Sequence, residues 1–206
     1  MVDLVLLRHG RTDWNAARRI QGQSDSQLDS LGHAQAEAVA PLLAALRPAV
    51  LWSSDSDRAR DTASYLAGAC GLTPTYDARL REYSLGHREG LHHHEYEADN
   101  PAEYAEFVRA NWDAVPGAEK QDAVAARMSA ALAEIADSVP ADGVALVVSH
   151  GAAIRTACGA LLGWAPEVAL TLRGPDNCGW AVVRRSEPES PWRLAAYNRT
   201  VAVPAR

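Results

Sequence analysis

Apolar runs and amphipathic stretches alternate along nearly the whole chain. Leu4–Leu7 is four apolar residues in a row, too short for a helix, and reads as a strand buried on both faces. Leu31–Leu46 reads as a helix with Leu31, Ala38, Leu42 and Leu46 on its inward face and Pro48 closing it. Val50–Trp52 is a short strand, followed by a helix over Asp57–Cys70 whose Ala59, Ala63, Leu66 and Cys70 share a face and whose stop is Gly71. Thr73–Tyr76 contains Pro74 and reads as an edge strand. Helices are predicted over Pro101–Trp112 and Glu119–Ser138, the second with Val124, Met128, Ala131, Leu132 and Ile135 in register. A strand at Val144–Val148, a helix at Ala152–Leu162, and two late strands at Gly179–Arg184 and Trp192–Tyr197 complete the pattern.

Strands alternating with helices through short loops predict an α/β protein, a three-layer α/β/α arrangement with a mostly parallel central sheet. No linker, repeat or low-complexity tract interrupts it. One domain is expected over residues 1–206, with the irregular stretch of about 81–120 as an insertion capping the strand ends.

Composition changes this picture little and excludes several functions. The 206 residues are 48% apolar and carry a net charge of −6, so no long-range attraction draws the chain to nucleic acid or to an anionic membrane. No run approaches the roughly 20 apolar residues that span a bilayer. Met1-Val2-Asp3 lacks the basic start of a secretory signal, and cytoplasmic location is expected. The three widely spaced cysteines, Cys70, Cys158 and Cys178, fit reduced structural thiols. Lys120 is the only lysine, so each functional arginine has to be argued from its position.

Candidate chemistry gathers where the strands end. Arg8-His9-Gly10 follows the first strand, Ser54 and Arg58 the second, Glu82 the edge strand, and Ser149-His150-Gly151 the fourth. Open α/β sheets bind ligands at such carboxyl ends. Two arginines, two histidines and one acid make a cationic pocket, and the planar guanidinium fork matches tetrahedral oxyanions. Arg58 stands in the first turn of its helix, where a cation opposes the dipole unless an anion is near. Neighbouring cations keep His9 neutral, leaving a lone pair that can attack phosphorus, while Glu82 exchanges the leaving group's proton. These cations replace a metal, and no cofactor is called for. The run His92-His93-His94-Glu95 invites a metal reading, but adjacent side chains diverge too far to share one ion. Trp112 and Trp164 read as core or cap packing.

The motif Arg8-His9-Gly10-x-Thr12-x-Trp14-Asn15 resembles the signature of the histidine phosphatase superfamily, also called phosphoglycerate-mutase-like. Further stretches match its pattern in order: Gln21-Gly22-Gln23-x-Asp25, Ser53-Ser54-Asp55-x-x-Arg58-Ala59, Leu80-Arg81-Glu82-x-x-x-Gly86, Pro116-Gly117-x-Glu119, Ser149-His150-Gly151 and Asn177-Cys178. The resemblance implies that His9 is the phosphorylated nucleophile and Glu82 the proton donor. It implies that Arg8, Arg58 and His150 complete the phosphate pocket, with Thr12, Asn15, Gln21, Gly22 and Gly151 within reach of the phosphate or its substituent. Metal-independent hydrolysis of a small phosphorylated metabolite follows. The closing Trp192-Arg193-Leu194-x-x-Tyr197-Asn198 looks like that of actinobacterial members such as glucosyl-3-phosphoglycerate phosphatases, which points to a sugar or glycerate phosphate. The alternatives are a phosphoglycerate mutase or a non-catalytic phospho-ligand-binding member. The acidic cap (Glu95, Glu97, Asp99, Glu103, Glu106) favours hydrolysis over mutase activity. Arg88, where the family often has tryptophan, and Lys120, where it often has serine, mark departures expected to bear on substrate choice. Apolar helical faces would permit a homodimer.

Overall fold

A computed structural model describes residues 1–203; the last three residues of the expected domain lie outside that range. Six strands form one sheet in the order β3-β2-β4-β1-β5-β6. They are β1 (Val2–Arg8), β2 (Val50–Ser53), β3 (Thr75–Tyr76), β4 (Gly143–Ser149), β5 (Trp180–Arg185) and β6 (Arg193–Arg199). β1 to β4 run parallel, with Leu4 beside Ala145 and Arg8 beside Ser149, and β5 and β6 close the edge antiparallel.

Both faces of the sheet are covered, so the strands read as unbroken apolar runs. Leu4, Leu6, Ala145, Val147, Ala181 and Val183 point to one side. There they meet Met128, Leu132 and Ile135 of the helix Gln121–Asp137, and Ile154 and Ala157 of the helix Gly151–Leu161. Val5, Leu7, Leu146, Val148 and Leu51 point to the other side. Their partners are the helices Ser30–Ala44 and Asp57–Cys70, through Val39, Leu43, Ala59, Ala63 and Leu66. In chain order the helices are α1 (Asp13–Ala16), α2 (Ser30–Ala44), α3 (Asp57–Cys70), α4 (His93–Asp99), α5 (Pro101–Val108), α6 (Gln121–Asp137), α7 (Gly151–Leu161) and α8 (Pro166–Ala169).

Four sequence expectations are corrected. α2 buries Ala36, Val39, Ala40 and Leu43, whereas Leu42 and Leu46 are exposed. The helix carries two apolar strips, and the one rich in alanine, which allows close approach to the sheet, turns inward. The helix also stops at Ala44, because Arg47 is left-handed and Pro48 follows. The segment expected as a helix over Pro101–Trp112 breaks after Val108, where Ala110 adopts a positive φ and Trp112–Ala114 forms a separate 3-10 turn. The edge strand shrinks to Thr75–Tyr76, since Pro74 has no N–H to donate. α4 gave no sequence signal because Tyr96 is its single buried residue. No described helix is long and apolar enough to cross a membrane.

Candidate active site

The strand ends carry the charged groups to one place. β1 hands the chain from Arg8 to His9, which lies beside Ser149 at the end of β4 through a backbone bond of 3.0 Å. Gly10 follows because its backbone is pressed against Gly32; a Cβ there would stand 2.6 Å from the Gly32 carbonyl oxygen. Gly10 N donates to Thr62 Oγ1 at 3.0 Å, tying the loop to α3. Asn177 and Cys178 clamp it from the other side, with Asn177 Nδ2 and Cys178 N donating to the His9 carbonyl.

His9 is 3% exposed, and its Nδ1 lies 2.8 Å from the Gly10 carbonyl oxygen. A carbonyl only accepts, so Nδ1 carries the proton and Nε2 keeps the lone pair. Burial first, then Arg58 and Arg8, holds the imidazole well below its usual pKa and therefore neutral.

Two guanidiniums surround it. Arg58 is 1% exposed, reaches back from the first turn of α3, and donates to the carbonyls of Ser24 and Gly22, both at 2.7 Å. Burial lowers its pKa to about 10. Arg8 donates to the Pro175 carbonyl at 2.8 Å, while its buried Nε has no partner. Neither arginine forms an ion pair among the described residues. Gly22 is left-handed (φ 55°), and a Cβ would meet the Glu89 carboxylate, so glycine is required where Arg58 docks.

His150 is fully buried behind this pair, its ring centroid 5.1 Å from that of His9. Arg58 Nε donates to His150 Nδ1 at 3.3 Å, so His150 Nε2 bears the hydrogen and donates to Ser54 Oγ at 2.9 Å, with Ser56 Oγ at 3.2 Å. Burial and Arg58 push His150 well below its usual pKa. The Glu82 carboxylate sits at the N-terminus of α7, accepting from Ala152 N and Ala153 N at 3.0 and 2.9 Å.

These groups border a cleft of about 400 Å³, whose walls include Arg8, His9, Asn15, Gln21, Gly22, Arg58 and Glu82. Thr12, His150 and Gly151 do not reach the cleft wall. Thr12 caps α1, its hydroxyl accepting from Asn15 N at 3.0 Å. Gly151 allows Arg8 to pass, a Cβ there being 3.4 Å from Arg8 Nε. The outer wall comes from residues 85–112: Leu85, His93, Phe107, Val108, Ala110 and Trp112. Trp112, expected as packing, both packs on Tyr83 at 4.5 Å and lines the cleft.

Arg88 and Lys120 stand off the walls. Arg88 is fully buried and donates to Tyr96 Oη at 2.8 Å and Glu103 Oε1 at 2.6 Å, and Lys120 is exposed, donating to the Asp113 carbonyl. Their expected bearing on substrate choice is corrected to a structural one, since neither borders the cleft. Sequence reasoning missed Arg127, which donates to the carbonyls of Arg79, Arg81 and Glu82 and pairs with Glu119 at 2.8 Å, fixing the loop that carries Glu82. Its signal was a cation next to Met128, in a helix of buried apolar residues.

An α/β sheet whose strand ends hold a neutral histidine beside a buried and a half-buried guanidinium, neither of them in an ion pair among the described residues, has the makings of a phosphate-ester-processing site. The family profile described as Histidine phosphatase superfamily (branch 1) matches residues 4–200, and the chain belongs to that superfamily. Glucosyl-3-phosphoglycerate phosphatase of Mycobacterium tuberculosis (strain CDC 1551 / Oshkosh) is 39% identical over 97% of this chain and 96% of its own. A protein named probable phosphoglycerate mutase GpmB, from Salmonella paratyphi C, is 37% identical over 96% and 90%. The solved structure of a mycobacterial glucosyl-3-phosphoglycerate phosphatase complexed with VO3 superposes with a TM-score of 0.88 at 39% identity, covering 96% of this chain and 99% of that one. The protein is a phosphoric monoester hydrolase of the histidine phosphatase type.

Proposed function

We propose that the protein hydrolyses a small sugar or glycerate phosphomonoester through a phosphohistidine on His9, with glucosyl-3-phosphoglycerate as the leading candidate. One observation carries this reading: the buried Arg58 and the half-buried Arg8, neither in an ion pair among the described residues, flank a neutral imidazole whose Nε2 is free. Glu82 favours both charges but forms an ion pair with neither, so a bound dianion supplies the direct counter-charge they lack. The name of the mycobacterial relative supports the substrate class.

In this reading the phosphoryl group docks against Arg8 and Arg58, with Asn15, Gln21 and Gly22 beside it. His9 Nε2 attacks phosphorus, the P–O ester bond breaks, and Glu82 gives its proton to the leaving alkoxide. Water then attacks the phosphohistidine, Glu82 takes a proton from that water, the P–N bond breaks, and orthophosphate leaves with His9 neutral again. The two guanidiniums supply the positive charge that a metal would otherwise provide. Thr12, Gly151 and His150 act through the groups they hold. A cytoplasmic site of action fits the three unpaired thiols.

Replacing His9 by alanine tests the mechanism: phosphate release from p-nitrophenyl phosphate falls by about 10⁴-fold or more, and retained turnover would overturn it. A mutase reading is tested by following 3-phosphoglycerate with and without a bisphosphorylated primer. Free phosphate accumulates if water is the acceptor, whereas the 2-phosphate isomer accumulates in a mutase.

A further inference from the structure

The cleft continues past the phosphate cage, and one permanent cation stands on that outer part. Arg19 lines it. Its Nε donates to the Gly90 carbonyl at 2.8 Å, and its guanidinium lies over the Trp14 ring, 4.6 Å from the centroid. These contacts fix the plane of the guanidinium and use neither terminal nitrogen. Among the described residues Arg19 has no ion-pair partner.

The cation is not on a loose strand. Arg19 forms a β-bridge with His92, and backbone bonds join Gly90 N to the Ile20 carbonyl at 2.8 Å and Ile20 N to the Leu91 carbonyl at 2.9 Å. The nucleophile loop and the segment over the cleft are thereby stitched together at the rim. Around Arg19 the wall is largely apolar, from Ile20, Leu85, Phe107 and Val108. His93 shares it, with Nδ1 3.2 Å from the Tyr104 hydroxyl. Burial and then Arg18 keep His93 below its usual pKa, so it adds no charge at neutral pH.

Charge matching selects the ligand. Two guanidiniums in the cage suit a phosphate dianion, and a single guanidinium at the rim suits a monoanion. A planar fork with unused N–H edges binds a carboxylate through two parallel hydrogen bonds. A cleft of about 400 Å³ accommodates both groups on one compact molecule.

We propose that Arg19 is a second anchor of the substrate, gripping a carboxylate carried by the same small molecule as the phosphate ester. The proposal rests on the phosphomonoesterase reading of the cage, and its test is chosen to stand apart from turnover. 3-Phosphoglycerate and glycerol 3-phosphate share a phosphate ester and differ in the carboxylate. Both are titrated calorimetrically into His9→Ala protein, which retains the cage but lacks the nucleophile, and into the His9→Ala/Arg19→Gln protein. The carboxylate compound binds His9→Ala more tightly by about 10- to 100-fold, the range for a charge-assisted bidentate contact. With Arg19→Gln that ratio collapses toward one, and with Arg19→Lys it falls between. An unchanged ratio, or no preference before substitution, overturns the proposal. An equal loss for both ligands also overturns it, since that marks Arg19 as a mere brace for Gly90. Failure of the underlying phosphatase reading appears elsewhere, as absent hydrolysis of p-nitrophenyl phosphate by the unaltered protein.

Discussion

Among the described residues two arginines are less than 2% exposed, and they are buried in opposite settings. Arg88, among residues 81–120, meets the Glu103 carboxylate and the Tyr96 hydroxyl, so its charge is answered from within the chain. Arg58, at the strand ends, meets only the carbonyls of Ser24 and Gly22 and an imidazole nitrogen. Carbonyl dipoles orient a guanidinium but do not neutralise it. Arg88 is answered by a direct ion pair, whereas the carboxylates that favour the Arg58 charge, Glu82, Asp25 and Glu89, do so without pairing with it, which leaves room for an anion. Arg88 accordingly stands apart from the candidate phosphate site.

The comparison breaks most sharply at Arg58. Arg58→Met removes half the cage charge, and kcat/KM for an aryl phosphate falls by about 10²- to 10³-fold; a variant within threefold of the parent would show the guanidinium idle. Glu103→Gln should do the reverse, leaving Arg88 buried without a counter-ion and lowering the unfolding free energy in urea by about 3 kcal/mol. The paired change Arg88→Leu with Glu103→Leu recovers most of that loss if the pair is architectural. Glu82→Gln sharpens the chemistry by leaving group. Turnover of an alkyl phosphate drops by about 100-fold, and that of p-nitrophenyl phosphate less, because nitrophenolate leaves without a proton.

The smallest effect is in pH. His9 and His150 are held neutral in the native state, whereas unfolded histidine takes up a proton below about pH 6.5. The unfolded state then binds more protons, so stability is flat above pH 6.5 and falls as pH is lowered, by up to about 1.4 kcal/mol per pH unit for each histidine. Urea midpoints between pH 7.5 and 5 measure it. Carboxylates held low by arginine partners, such as Asp55 beside Arg81, act only below about pH 4 and do not confuse that window. An unchanged midpoint would mean that the histidines gain protons freely in the fold.

Much of the molecule was legible along the chain. α3 spans the expected residues at both ends, because Gly71 takes the left-handed cap that stops it. The apolar run after Asp3 was read as a strand buried on both sides, and Leu4 and Leu6 indeed face one core while Val5 and Leu7 face the other. Arg8, His9, Arg58, Glu82 and His150 stood out as candidates because each lies at or after the end of a strand. Which strip of α2 would turn inward was not legible, since both are apolar and only the sheet selects between them. Ser56 and Arg127 were missed for a similar reason. Their partners, His150 and the carbonyls around Glu82, are distant in sequence.

What the sequence determined by itself is the set of reactive groups and their attachment to strand ends, because apolar runs, glycine stops and motif spacing are local facts. The tertiary structure alone decided how those groups are charged and what they face. It put a proton on His9 Nδ1 by setting it against a carbonyl, hid His150 behind Arg58, paired Arg88 with an acid and, among the described residues, left Arg58 and Arg19 outside any ion pair. Protonation, burial and pairing depend on neighbours from distant parts of the chain, and only folding brings those neighbours within hydrogen-bonding distance.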